Sequence, residues 1–124
     1  MFAGGEGSDG KATANKAREV VKIGAADLFK AYEANEVATD ERFKGKDIVV
    51  SGTVQSIDKD AFDNIIINFR TSNEYMPARM QMKDTEKAAA IALKKGVKSS
   101  VQCRRMSRII GSPAGNDCIF VAGS

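Results

Sequence analysis

The chain has no histidine and no tryptophan, and only two cysteines and two prolines among its 124 residues. Without histidine there is no imidazole general base, no histidine-centred triad and no zinc site of the usual kind. No CxxC pair is present, which removes the common dithiol redox motif. No apolar run approaches the roughly 20 residues that a membrane-spanning helix needs. Met1-Phe2-Ala3-Gly4-Gly5 lacks the charged start and apolar middle of a signal peptide. Apolar residues make up 43% and charged residues 28%, the balance of an ordinary globular domain. The length suits one such domain with a modest core.

The strongest pattern in the chain is Lys46-Asp47-Ile48-Val49-Val50-Ser51-Gly52-Thr53-Val54-Gln55-Ser56-Ile57. Ile48, Val50 and Val54 share one face of an extended strand, and Gly52 interrupts their row. A glycine inside a strong strand marks a bend or a close backbone approach. A long first strand bent at its middle can pair its two halves in different parts of a small closed sheet.

Residues 1–22 read as a flexible tail, since MFAGGEGSDGKATANKA has no periodicity. The folded domain is expected over 23–124. Ala25, Leu28, Phe29 and Tyr32 recur at helical spacing and predict a helix at about 25–36, with a second helical turn capped by Thr39 and pinned by Phe43. After the first strand, Asp58, Asp60 and Asp63 lie in a polar turn. They lack the central glycine and terminal glutamate of a calcium loop, and no metal site is expected. Ile65, Ile67 and Phe69 are the inward row of a second strand; Met76, Ala78, Met80 and Met82 form that of a third. A helix is predicted at 85–95, stopped by Gly96. Val97 to Cys103 begin a fourth strand, Gly111 to Asn116 form a turn, and Asp117 to Val121 make the fifth. A mainly β chain with an N-terminal helix, and a second helix between strands three and four, predicts a five-stranded antiparallel OB-fold barrel.

Several motifs resemble the tRNA_anti-like OB-fold family of small bacterial, phage and plasmid proteins. They are Asn35-Glu36-Val37-Ala38 with Phe43-Lys44-Gly45-Lys46, then Val50-Ser51-Gly52-Thr53-Val54, then Lys94-Lys95-Gly96-Val97, and finally Cys103, Gly111-Ser112-Pro113 and Asp117-Cys118. The resemblance runs from about residue 24 to 121. It implies an OB barrel, often in exported or lipoprotein chains, with nucleic-acid binding by fold analogy and no catalytic residues or cofactor.

The charges are unevenly spread. Residues 27–63 hold nine acids and five bases, whereas 64–116 hold ten bases and three acids. Outward Arg70 and Arg79 on strands two and three, with Arg104, Arg105 and Arg108 on strand four, are the candidate phosphate-attracting face. Phe62 and Tyr75, near loop ends, are the candidate stacking residues. Cys103 and Cys118 flank the last turn: in an oxidising compartment they would form a cross-strand disulfide, and in the cytosol they would remain two small core thiols. A bulge near 106–109 would bring them opposite one another. The resemblance to a family with exported members favours the disulfide. It also favours a periplasmic or envelope location with the leader removed and a lipid anchor on the natural N-terminus; a cytoplasmic location is the alternative. The reading is therefore a non-catalytic module binding single-stranded nucleic acid or another anionic polymer. Its rival is an envelope module whose partner is a protein.

Overall fold

The structure, a computed structural model, describes residues 18–122. Six strands are present: β1 (Val20–Gly24), β2 (Asp47–Lys59), β3 (Ile65–Phe69), β4 (Ala78–Met82), β5 (Lys98–Ile109) and β6 (Ser112–Val121). Five of them close a ring in the order β2-β3-β4-β6-β5, with β5 returning to β2. The OB-fold barrel is therefore formed, with one correction to the expected pairing. β4 and β6 run parallel, while the other four ring pairings are antiparallel.

β2 makes the closure possible because its two halves serve different partners. Residues 48–53 pair with β5, and residues 54–59 pair with β3 across an irregularity between Val54 and Ser56. Gly52 lies where the halves meet. A Cβ there would stand 3.1 Å from the Cβ of Ala25 and 3.3 Å from that of Phe69, so the bare Cα lets α1 and β3 close on the bend. Ile48, Val50, Val54, Ile67, Phe69 and Met80 fill the interior with no exposure.

β1 was not foreseen. The boundary expected after residue 22 falls inside it, and the rest of the expected tail, residues 1–17, lies outside the described residues. β1 pairs in parallel with Asp47 to Ser51 of β2. α1 (Ala25–Ala34) follows directly and buries Ala25, Leu28, Phe29 and Tyr32. α2 (Glu36–Phe43) starts at Asn35, whose side-chain oxygen accepts from the Ala38 N–H at 3.0 Å. Thr39 is thus not the cap: it is buried inside α2, its hydroxyl 2.9 Å from the Ala31 carbonyl and 2.8 Å from that of Asn35. The helix expected at 85–95 is shorter, a 3₁₀ turn over Asp84–Glu86 and then α3 (Lys87–Ala92), with Leu93 already extended. Glu86 does not cap it but accepts from the Phe120 N–H at 2.8 Å.

The last turn also differs. β5 and β6 meet in a two-residue turn, Ile110-Gly111, with φ of 47° and 83°. The pattern fits the type I′ geometry that matches strand twist. This centre places Cys103 directly opposite Cys118 without the expected bulge, and the two form a disulfide with Cα atoms 4.0 Å apart. Gly115 makes room for it, since a Cβ there would come within 2.8 Å of both the Cys103 and Met80 sulfurs.

Gly52→Val should cost about 1–3 kcal/mol through overpacking, read as a lower urea midpoint. An unchanged midpoint would mean that the bend does not need a bare Cα. Replacing both cysteines by serine should cost roughly 3 kcal/mol by loop entropy. Unreduced protein from its native compartment should weigh two protons less than the dithiol; two maleimide-reactive thiols after unfolding would rule the bridge out.

Candidate nucleic-acid interface

Alternation on the strands puts Ser56 and Asp58 of β2, Ile66 and Asn68 of β3, and Arg79 and Gln81 of β4 on the outside of the barrel wall. Asn68 is paired in register with both Ser56 and Arg79. Its amide nitrogen donates to the Ser56 hydroxyl at 3.0 Å and to Asp58 at 2.9 Å, and the Ser56 hydroxyl donates to Asp58 at 2.6 Å. Asn68 Oδ1 is buried and has no partner among the described residues. Such an orphan acceptor is uncommon in a folded protein. Arg79, half-buried, and Arg70, exposed just past β3, make no ion pair among the described residues.

The β3–β4 connection is held by Thr71, whose hydroxyl lies 2.9 Å from the carbonyls of both Asn73 and Met76. Asn73 Oδ1 accepts from the Tyr75 N–H at 2.9 Å, leaving the Tyr75 side chain 85% exposed. Met76 lies against Gly111, where an added Cβ would come within 2.7 Å of its sulfur. The β5–β6 tip, with Ile110 almost fully exposed, therefore sits beside the Tyr75 loop.

Phe62 is equally exposed but belongs elsewhere. Asp60 accepts from the N–H groups of Phe62 and Asn64 and from the Asn64 side chain, building a tight turn at the far end of β3. The Asn64 side chain, then its backbone N–H, holds the Asp60 carboxyl below the usual carboxylate range, helped by the Phe62 N–H and the charge of Arg79. A depressed folded pKa means that this turn is favoured above the ordinary carboxylate value and loosens only as pH falls below it.

The arginines of β5 form a separate group. In the ring, β5 is divided from β3 and β4 by β2 on one side and β6 on the other. Arg104 and Arg105 line a groove of about 600 Å³ together with Arg18, Asp40, Glu41 and Lys44. Both are exposed because the inward row shifts from Cys103 to Met106, which lies opposite Gly115. Arg105 pairs with Asp117 at 3.0 Å, and the Arg104 carbonyl accepts from Arg18 at 2.9 Å. Arg108 is committed to the fold: its guanidinium bonds Glu33, Glu36 and the Tyr32 carbonyl, and is largely buried. The seven sequence candidates thus separate into Arg70, Arg79 and Tyr75 on one face, Arg104 and Arg105 on another, a structural Arg108, and Phe62 at one end. Asn68 and Ile110 were not among them. A lone amide between apolar neighbours signalled the first; nothing in the sequence signalled the second.

Comparison with known proteins bears on the fold and family. The chain matches no curated protein. Among solved structures it resembles a lipoprotein of Klebsiella pneumoniae subsp. pneumoniae MGH 78578, provisionally named as nucleic acid-binding. That likeness has a TM-score of 0.62 at 16% identity and covers 83% of this chain and 92% of the other. The Stn1-Ten1 complex of S. pombe aligns with a TM-score of 0.46 at 12% identity, over 62% of this chain and 59% of that one. At these identities the first likeness is one of fold alone. The tRNA_anti-like family model spans residues 6–119, and the chain belongs to that family.

Proposed function

We propose that the protein is a non-catalytic OB-fold module that binds single-stranded nucleic acid along the β3–β4 wall, between the Tyr75 loop and the Asp60 turn. The observation that carries this is the presence on the β3–β4 side of two arginines, Arg70 and Arg79, that make no ion pair among the described residues, together with the exposed Tyr75. Guanidinium groups attract phosphates, and an exposed tyrosine offers a stacking surface. The family and the name of the Klebsiella protein support the same reading. Arg104 and Arg105 lie on a different side and would steer the polymer rather than hold the same segment. Absence of histidine from the whole sequence argues for binding over acid–base chemistry. The folded unit is read as one domain running from β1 through β6.

The same proposal places the protein outside the cytosol, in the periplasm or envelope, with a lipid anchor on its natural N-terminus. Support comes from the disulfide, since such bonds persist in oxidising compartments, and from the lipoprotein character of the Klebsiella structure.

Fluorescence anisotropy with a labelled single-stranded oligonucleotide should give saturable binding that weakens as salt rises. Arg79→Ala should lower affinity and reduce the salt slope by about one unit or less. Tyr75→Ala should weaken binding by about 1–3 kcal/mol with little change in that slope. Arg108→Ala should lower stability and leave the slope unchanged. No saturable binding at about 50 μM protein and low salt would remove this function and leave the protein-partner reading.

A further inference from the structure

The end of the barrel beyond Phe62 carries a second feature, independent of the β3–β4 wall. α3 is short and apolar, Lys87-Ala88-Ala89-Ala90-Ile91-Ala92, yet only Ala90 is buried. Ala88, Ala89 and Ala92 are exposed, and Ile91 is 76% exposed. Between α3 and the β2–β3 hairpin runs an open groove of about 350 Å³. Ile57, Ile65, Ala90 and Ile91 form its apolar floor, and Asp58, Lys59 and Lys87 complete its lining.

We infer that this groove binds an alkyl chain carrying an acidic head group, with the chain over Ile57, Ile65 and Ile91 and the head between Lys59 and Lys87. Three observations carry the assignment. The lining side chains of the floor have no hydrogen-bonding atoms, and the β2 and β3 backbones pair with each other here, Lys59 with Ile65. A peptide laid in the groove would leave its amides unpaired, whereas an alkyl chain has none. The volume lies at the lower end for small-ligand sites, as suits a single chain. Finally, one of the two lining lysines already holds a carboxylate: Asp63, outside the lining, is ion-paired with Lys59. The Lys59 hydrogen bond and charge, and more weakly Lys87, hold the Asp63 carboxyl below its usual range. Asp58, the one acid in the lining, has a carboxylate oxygen bonded by Asn68 and Ser56 of the outer wall.

Asp63 therefore acts as an internal competitor for the head-group position. It sits at φ 70°, which asparagine adopts readily, so Asp63→Asn leaves the turn intact while freeing Lys59.

The test is calorimetric titration at pH 7 with octanoate, decanoate and dodecanoate below their micelle concentrations, with amide chemical shifts read in parallel. Each added methylene should tighten binding about two- to fourfold, with shifts confined to residues 57–65 and 87–92. Dodecyltrimethylammonium should bind at least about tenfold more weakly than dodecanoate. Asp63→Asn should tighten dodecanoate several-fold, and Ile91→Glu, at an exposed site, should weaken it about tenfold. Sedimentation with phosphatidylglycerol vesicles, against phosphatidylcholine vesicles, separates a free amphiphile from a bilayer lipid as the source of the same chemistry. The inference is overturned if neither dodecanoate nor anionic vesicles bind, or if affinity ignores chain length. It is equally overturned if the ammonium head binds as well as the carboxylate, or if a short acidic peptide with a central leucine binds as tightly as dodecanoate. Oligonucleotide binding through Arg79 is measured separately and is unaffected by either outcome.

Discussion

Closure of this barrel depends on the approach of Ala25 and Phe69 to a bare Cα at position 52. That contact lets one strand of 13 residues turn its first half toward β5 and its second toward β3. Everything that could bind a ligand is arranged by this division. The second half carries Ser56 and Asp58 to the outer wall, where they orient Asn68, and ends at the lip of the α3 groove. The first half carries β5, and with it the arginines that end up on a different side.

Much of the fold was readable because period-two alternation and a glycine at the wrong place in the row are local signals. Ile48, Val50, Val54, Ile67, Phe69 and Met80 were assigned inward and are buried. β1 escaped because five residues, three of them apolar, carry little periodicity alone, and its place is fixed by a parallel partner more than twenty residues away. The final turn was misplaced for the opposite reason. Gly111-Ser112-Pro113-Ala114-Gly115-Asn116 has the composition of a turn, but Pro113 is buried at the start of β6, where a strand tolerates proline. The true turn has isoleucine in the left-handed region, a residue that a β-branched side chain disfavours there.

The candidate site shows where sequence reading stops. Alternation says that an arginine faces outward, not which strand lies beside it or which carboxylate reaches it. Arg79 and Arg108 look alike in the sequence. In the structure one adjoins an amide whose carboxylate neighbour is already hydrogen-bonded, while the other ties the β5–β6 hairpin to Glu33 and Glu36 across more than seventy residues. The difference lies wholly in contacts distant in sequence. The Tyr32 hydroxyl belongs to the same helical corner: burial, then its bond to Asp40, raises its pKa, so it remains a neutral donor.

β1 has one further consequence. Asp47 to Ser51 of β2 have β5 on one edge and β1 on the other, with β3 taking over that second edge from Val54 onward. A chain trimmed to begin at residue 23, where composition alone would place the domain start, loses most of this cover. It would expose a run of unpaired backbone N–H and C=O groups flanked by Ile48, Val49 and Val50. An uncapped apolar edge is a template for pairing with another chain. β1 is itself the last strand on this side, so its five residues move the free edge from the apolar Ile48–Val50 run to a short strand interrupted by Lys22 and ended by Gly24, a poorer template.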